Sequence, residues 1–146
     1  MGDLPPTLLG LTAYLLSRTG KAARDGLAGE LAAGGWRMWH LAVLAALADF
    51  GPHAQRDLAA RLSIDPSDVV KVLDELAAAG RVQRVRDAGD RRRVLVTITA
   101  AGGGALEEQV RRLRGVQDAL LAPLSEPERR TLHDLLARVH EGAQSG

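Results

Sequence analysis

The change from helical to alternating spacing at Gly80 constrains the fold more than any other feature of this sequence. Before Gly80, the segment DPSDVVKVLDELAAAG begins with Asp65 as a cap and Pro66 at the first helical position, and its apolar residues recur at helical spacing. After Gly80, the stretch VLVTIT, residues 94–99, alternates with period two and is rich in β-branched residues. The sequence therefore predicts a helix that ends at Gly80 and is followed at once by a β-hairpin.

The first strand of that hairpin, RVQRVR, is less regular than the second. Val82 and Val85 have opposite parity, so that they would point to opposite faces of a regular strand. We therefore expect a bulge or a short ladder in this strand, with the turn formed by DAGD, residues 87–90.

A further short helix is predicted directly before the one that ends at Gly80. The segment HAQRDLAARL places its apolar residues on one face and its charged residues on the other, and it ends near Ser63. Only a few residues separate the two helices. The pattern therefore indicates two short helices joined by a tight turn.

Helical spacing also covers both ends of the chain. From about Leu8 to Leu31 it predicts one long, imperfect helix, and WRMWHLAVLAALADFG, residues 36–51, predicts a short helix buried on most sides. Gly102 to Gly104 are interpreted as the break between the hairpin and the next helix, and SEPE, residues 125–128, as the capped start of the last one. The predicted fold class is therefore mainly α with one small hairpin.

Size and composition limit the classes of protein to consider. With 146 residues, 46% of them hydrophobic, the chain suffices for one domain with its own core. It contains no cysteine, which excludes disulfides, thiolate metal ligands and a cysteine nucleophile. No apolar run approaches the length of about 18 residues that a membrane helix needs, and no signal peptide is recognisable, so that we expect a soluble, cytoplasmic protein without a membrane partner.

The net charge of +1 hides one strongly basic segment. Residues 81–93 carry six arginines against two aspartates and are therefore +4, which leaves −3 for the rest of the chain. One basic segment on an otherwise slightly acidic protein predicts that the protein binds a polyanion at a single region. The arginines are Arg81, Arg84, Arg86, Arg91, Arg92 and Arg93, and the aspartates are Asp87 and Asp90.

The position of these arginines favours DNA as the polyanion. A pair of short helices followed by a basic hairpin is the winged helix-turn-helix, in which the second helix enters the major groove and the hairpin reaches along the backbone. Guanidinium groups on a protruding turn displace the counterions condensed on phosphates, and Gly89 would let the turn pass close to a groove. An arginine cluster alone is usually a solvated surface, but after a helix-turn-helix it predicts binding of double-stranded DNA.

Residues 65–102 resemble the recognition helix and wing of the MarR (multiple antibiotic resistance regulator) family of transcription factors. The resemblance lies in an Asp and two basic positions, then a strand that ends in Thr with a Gly three residues on, which appear here as Asp90, Arg91, Arg92, Thr99 and Gly102. It implies a single MarR-like domain over 1–146, with a DNA-binding lobe at 36–102. Residues 1–33 and 103–146 would form N- and C-terminal dimerisation helices.

The resemblance also implies roles for individual residues. Arg92 would enter the minor groove with Asp90 as its orienting carboxylate, and Ser67, Asp68 and Lys71 would face the major groove. Asp68 could accept a hydrogen bond from a cytosine amino group or instead cap its own helix. The complete set of candidate DNA-binding residues is Ser67, Asp68, Lys71, Arg84, Arg86, Asp90, Arg91, Arg92 and Arg93. Arg81 departs from the family pattern, because relatives usually have an apolar residue there.

The implied function is transcriptional regulation, most often repression, by a homodimer that binds a pseudo-palindromic operator. A small aromatic or anionic effector would bind between the dimerisation helices and the DNA-binding lobe. Trp36, Trp39 and His40 are candidate ligand-binding residues, although tryptophans in so apolar a helix are more often part of the core.

Other classes of function find less support in the sequence. The four histidines, His40, His53, His133 and His140, lack the HxxxH or HExxH spacing of a zinc site, so that no metal and no cofactor are predicted. No catalytic motif is present, and an enzyme is not expected. The alternatives are a winged-helix protein-interaction module that does not bind DNA and, less favoured, a hydrolase formed by distant Ser, His and Asp residues.

Overall fold

The structure, a computed structural model that describes residues 2–146, confirms a mainly helical fold with one two-stranded antiparallel sheet. Its elements in chain order are α1 (Pro6–Leu9), α2 (Thr12–Ala33), α3 (Met38–Phe50), α4 (Gln55–Leu62), α5 (Pro66–Ala78), β1 (Val82–Arg86), β2 (Val94–Ile98), α6 (Ala100–Leu120) and α7 (Glu126–Gln144).

The core lies around α3, which is apolar on most sides as its sequence predicts. Val43, Leu44 and Leu47 are fully buried there, against the apolar faces of the two helices that follow. α5 adds four buried apolar residues to this core, because its helical spacing places them on one face. These residues are Val69, Val72, Leu73 and Leu76.

α5 begins and ends where the sequence predicts. The Asp65 carboxylate accepts a hydrogen bond from the Ser67 N–H at 2.9 Å, and Pro66 occupies the first helical position, where its missing N–H costs nothing. The chain leaves the helix through Gly80, whose φ of +73° is the left-handed conformation that glycine adopts most readily. The change of direction at Gly80 sends the chain directly into the hairpin.

The hairpin forms one continuous ladder. Its register runs from Val82 opposite Ile98 to Arg86 opposite Val94, so that five residue pairs form a short ladder and the bulge allowed by the sequence is absent from β1. The opposite parity of Val82 and Val85 is accommodated because Val82 faces the core and Val85 faces solvent. The loop is longer than the predicted four-residue turn and spans residues 87–93.

A third segment joins the sheet at its free edge. His53 N–H donates to the Val96 carbonyl at 3.1 Å, and Val96 N–H donates to the His53 carbonyl at 2.7 Å. This two-bond bridge connects the start of α4 to the middle of β2. The hairpin is therefore joined to the helix pair by backbone hydrogen bonds.

Two features of the flanking helices differ from the prediction. The predicted single N-terminal helix is broken, because Leu11 has an extended backbone (φ −94°, ψ 116°) after Gly10, so that α1 and α2 are separate. Gly102 to Gly104 lie inside α6, which begins at Ala100, and are not a break between strand and helix. The predicted boundary between residues 102 and 103 therefore falls within the first turns of α6.

The base of the hairpin is tightly packed against the start of α6. Thr99 caps α6 by accepting from the Gly102 N–H at 3.0 Å, and its hydroxyl donates to the Gly80 carbonyl at 2.6 Å. A Cβ added at Gly102 would lie 2.0 Å from the Arg81 carbonyl oxygen. Only glycine allows α6 to approach residue 81 this closely, which explains the glycine three residues after Thr99.

The long helices α2, α6 and α7 leave much apolar surface uncovered. On α7, Leu135 is 49% and Val139 is 57% exposed, and leucines at the N-terminal end of the chain are similarly exposed. A cavity of about 460 Å³ lies between the three helices and is lined by residues such as Leu27 and Leu132. Within residues 2–146, no single helix is long and apolar enough to cross a membrane, while α2 and α3 pass that test together but meet at 85°.

Candidate nucleic-acid interface

The outer face of α5 presents the residues predicted to face the major groove. Ser67, Asp68 and Lys71 are all exposed on the side of the helix opposite its buried valines and leucines. Asp65 is the residue that caps this helix, so that the alternative cap assignment for Asp68 is wrong. The Ser67 hydroxyl also donates to the Asp65 carboxylate, which leaves its lone pairs as acceptors.

The wing loop, residues 87–93, is held together by its own aspartates. The Asp87 carboxylate accepts from the Gly89 N–H at 2.9 Å, and the Asp90 carboxylate accepts from the Arg92 N–H at 3.0 Å. The backbone of Asp87 also donates to the Arg93 carbonyl at 2.9 Å. Local hydrogen bonds of this kind stabilise the turn and therefore reduce the freedom of its tip before any ligand binds.

The tip of the wing loop carries two exposed guanidinium groups. The Arg92 side chain is 94% exposed, and its Nε lies 3.4 Å from an oxygen of Asp90. This contact places the predicted orienting carboxylate beside the predicted wing-tip arginine. Arg91 is also exposed. Arg91 and Arg92, the tip pair, are therefore the cations of the wing that are most open to a polyanion.

The remaining arginines of the segment contact the protein itself. Arg84 of β1 donates to Asp74 of α5 at 2.8 Å, and Arg93 donates to Asp57 of α4 at 2.8 Å. The Arg86 guanidinium donates to the Arg91 carbonyl at 2.8 Å. These three candidate DNA-binding residues therefore lie on the wing as predicted, but each already has a partner within the chain.

Arg81, which departs from the pattern that the resemblance implies, packs against an aromatic side chain. Its guanidinium carbon lies 4.5 Å from the centre of the Trp36 ring, within the range of a cation–π interaction. Trp36 is itself buried in the core. Arg81 therefore covers the ring of an aromatic side chain of the core.

The three candidate ligand-binding residues are only partly brought together. Trp36 and His40 pack edge to face with their ring centres 6.5 Å apart, and both are buried. Trp39 is 40% exposed. The roles of these residues in ligand binding stay a prediction.

A polar cluster that joins α3 to α5 is not apparent in the sequence. The His40 Nε2 lies 2.7 Å from Glu75, and Arg37 donates to the same carboxylate at 2.8 and 3.0 Å. The Arg37 N–H donates to His40 Nδ1 at 2.9 Å, so that Nε2 carries the proton that Glu75 accepts. The hydrogen bond from His40, with a smaller contribution from Arg37, holds the pKa of Glu75 below its usual range.

A second histidine is held beside the wing. The buried His53 donates from Nδ1 to the Gly51 carbonyl at 2.7 Å and accepts at Nε2 from Arg61 at 2.9 Å. The Arg61 guanidinium also lies over the Phe50 ring, 4.1 Å from its centre. Across residues 2–146, no group of three His, Asp or Glu side chains is placed to hold a metal ion.

Comparison with known proteins identifies the central part of the chain as the region that matches a known family. The sequence profile of the MarR family matches residues 37–93, which comprise α3, the helix pair and the wing as far as the end of its loop. The repressor NicR of Pseudomonas putida, described as an HTH-type transcriptional repressor, is 30% identical over 96 residues. That match covers 66% of this chain, and the chain spans 61% of the length of NicR.

Solved structures match over nearly the whole chain. A structure described as a "probable transcriptional regulator" from Pseudomonas aeruginosa is 30% identical to this chain and has a TM-score of 0.69. The match covers 90% of this chain and 98% of that one. BpsR of Bordetella bronchiseptica is 25% identical to this chain and has a TM-score of 0.70. The description of that structure concerns the mechanism by which 6-hydroxynicotinic acid regulates the binding of BpsR to DNA. That match covers 95% of this chain and 98% of BpsR. The similarity therefore includes the long helices on both sides of the wing.

Proposed function

Because this chain is a member of the MarR family of winged-helix transcriptional regulators, we propose that it binds a pseudo-palindromic operator as a homodimer and represses transcription. α5 would enter the major groove and the wing would reach the adjacent minor groove. The observation that carries this proposal is the tip pair, because Arg92 is 94% exposed and lies beside Asp90 at the end of an ordered loop.

The electrostatics of the tip support contact with a duplex. Double-stranded DNA carries about one phosphate charge per 1.7 Å, and each cation that neutralises a phosphate releases condensed counterions. A narrow minor groove also attracts the weakly hydrated guanidinium of arginine. A preformed loop loses less conformational freedom when it binds, because its backbone is already held by Asp87 and Asp90.

The homodimer is supported by the uncovered apolar faces of the flanking helices. Side chains such as Leu135 and Val139 are about half exposed, and contiguous apolar surface of this kind is typical of an interface between subunits. Two-fold symmetry would place the two copies of α5 about 34 Å apart, which is one turn of duplex. Each copy would then contact one half of the operator.

The effector is proposed to be a small aromatic or anionic molecule. BpsR, a protein similar in structure to this chain, is described as regulated by 6-hydroxynicotinic acid, which is both aromatic and acidic. The proposed site lies between the long helices and the DNA-binding lobe, where Trp36 and His40 are packed together. Such a ligand must bind the DNA-incompetent spacing of the two lobes more tightly, and a tenfold preference corresponds to about 1.4 kcal/mol.

A salt-titrated binding assay on the intergenic region upstream of the protein's own gene tests this proposal. We expect binding that is stronger than to random duplex of equal length and that weakens steeply as the salt concentration rises. Binding to another protein with no measurable affinity for either duplex would instead indicate an interaction module. Turnover of an ester or amide substrate that survives mutation of the wing would indicate a hydrolase.

A further inference from the structure

Two ion pairs connect the wing to the helix-turn-helix, one to α4 and one to α5. Arg84 is in the middle of β1 and pairs with Asp74 on α5, and Arg93 directly precedes β2 and pairs with Asp57 on α4. Both N···O distances are 2.8 Å, within the range of charge-assisted hydrogen bonds. Each strand of the wing is therefore connected to a different helix by one arginine.

The arginines of the wing fall into two groups by what surrounds them. The side chains of Arg84 and Arg93 are 35% and 49% exposed, and each lies against a carboxylate outside the wing. Arg92 is 94% exposed, and its partner, Asp90, belongs to the wing loop itself. Asp57 and Asp74 thus provide Arg93 and Arg84 with an anionic oxygen, which is also the group that a DNA phosphate would offer them.

We propose that Asp57 and Asp74 are specificity-determining residues that keep Arg93 and Arg84 from the phosphates of DNA, so that neither of these two arginines adds a phosphate contact to those of the tip pair. This inference rests on the proposed function and revises the sequence-based assignment of Arg84 and Arg93 as DNA ligands. It also explains why acidic residues occur on the two helices that approach a polyanion.

Withholding two arginines affects nonspecific binding more than binding to the operator. Nonspecific affinity comes almost entirely from the number of phosphates that are neutralised, whereas operator binding adds contacts with base edges. An arginine that is held at 2.8 Å by a carboxylate of a neighbouring helix cannot follow phosphates at arbitrary sites. The two aspartates therefore increase the ratio of operator affinity to nonspecific affinity.

The test uses Asp57→Asn and Asp74→Asn in the full chain, with binding to random duplex measured between about 50 and about 200 mM salt. Asparagine keeps the shape of each side chain and removes its charge, so that one arginine per subunit is released. Each variant is expected to steepen the slope of log affinity against log salt by about one unit per subunit, so that this salt increase weakens its binding about fourfold more per subunit than that of the wild type. The ratio of operator to random-duplex affinity should fall.

Asp25→Asn is the matched control. It removes the same charge and releases one cation, Lys21, whose ion pair of 2.6 Å lies on α2 and outside the wing. We expect its slope to equal that of the wild type. An unchanged slope in Asp57→Asn and Asp74→Asn, or an equal steepening in Asp25→Asn, would overturn the proposal.

A second variant tests whether Arg84 is the cation that Asp74 withholds. Arg84→Gln alone is expected to leave the wild-type slope unchanged, and combining it with Asp74→Asn should return the steeper slope of the single variant to the wild-type value. A flatter slope in Arg84→Gln would mean that Arg84 contacts phosphate in the native complex, and the proposal would be wrong.

Elution from heparin separates this inference from the proposed function, because heparin is a polyanion without a base sequence. Later elution of Asp57→Asn and Asp74→Asn than of Asp25→Asn would support the withholding of the two arginines even if no duplex bound the protein. Elution of all three variants at the same salt concentration would contradict it. Absence of any duplex binding by the wild type would contradict the proposed function alone.

Discussion

At the scale of single residues, Arg92 is the side chain whose removal should affect DNA binding most directly. Arg92→Ala is expected to weaken binding to the operator and to random duplex alike and to flatten the salt slope by about one unit per subunit. Fluorescence anisotropy titrations at several salt concentrations measure both quantities. Arg130→Ala, which removes an exposed arginine of α7, is the control and should leave the slope unchanged. Unchanged binding by Arg92→Ala would refute the role of the tip.

Gly102 is the residue whose substitution should affect the fold most. In Gly102→Ala, the added Cβ would lie 2.0 Å from the Arg81 carbonyl oxygen, so that the backbone at the base of the wing must move. Overpacking against backbone is expected to lower the free energy of unfolding by about 3 kcal/mol. Urea unfolding monitored by circular dichroism measures this change.

Gly104→Ala provides the matched control two residues further along α6. Nothing lies within 4 Å of a Cβ added at Gly104, so that the substitution replaces a helical glycine without steric cost. It is expected to stabilise the protein by about 0.5–1 kcal/mol. Equal effects of the two substitutions would contradict the close approach of α6 to residue 81.

The sequence predicted the cluster of arginines but not how the structure divides it. The partners of Arg84 and Arg93, Asp74 and Asp57, lie 10 and 36 residues away, so that local pattern gave no sign of either pair. The pairing of Arg81 with Trp36 was hidden in the same way. The tip pair was predictable because its environment is formed by the loop itself, through Asp90 and the local turn.

At the scale of elements, the contact between α3 and α5 should make stability depend on pH. The pKa of Glu75 is lowered in the folded state, chiefly by the hydrogen bond with His40, so that the contribution of Glu75 is complete above the unfolded pKa of about 4.3 and is lost as the pH falls through the folded value. Glu75→Gln should therefore be less stable than the wild type near neutral pH, and the difference should shrink below about pH 4.

Urea unfolding of both proteins at a series of pH values measures this difference. Glu107→Gln, which changes an exposed glutamate of α6, is the control and should follow the wild-type pH dependence. A difference between Glu75→Gln and the wild type that stays constant through the acid range would show that the Glu75 carboxylate does not stabilise the contact between α3 and α5.

Element type was predictable along most of the chain, and the errors have physical causes. α5 carries its own cap in Asp65 and its own end signal in Gly80, so that its bounds follow from local chemistry. Gly102 to Gly104 suggested a break because glycine is a poor helix former. The structure places them in α6, where the backbone of residue 81 leaves no room for a Cβ at residue 102, a tertiary contact that local propensity does not include.

At the scale of the whole molecule, the exposed face of α7 should determine the oligomeric state. Leu135→Glu would place a charge on a face where Leu135 and Val139 are uncovered, and in a dimer interface that charge would be buried without a partner. The variant is expected to be monomeric at micromolar concentration by analytical ultracentrifugation and to bind the operator at least tenfold more weakly, about 1.4 kcal/mol.

Glu141→Lys changes the charge on another side of α7 and should leave the dimer intact. If the Leu135→Glu variant remained dimeric, the dimer interface would not include this face of α7. The family resemblance of the sequence implied a homodimer formed by the N- and C-terminal helices. Which side chains line the interface depends on the docking of a second copy and was therefore not predictable from the spacing of one chain.

Because the start of α6 packs closely against residue 81, a rotation of this helix would displace the base of the wing. Its 21 residues extend about 31 Å without interruption from the wing base to the turn before α7. A rotation of α6 by about 5° about its C-terminal end would move its N-terminal end, at the base of the wing, by about 3 Å. This distance is comparable to the displacements that accompany subunit rearrangements. A small rotation of α6 that leaves every helix intact would therefore be enough to move Arg91 and Arg92 away from the groove that they are proposed to contact.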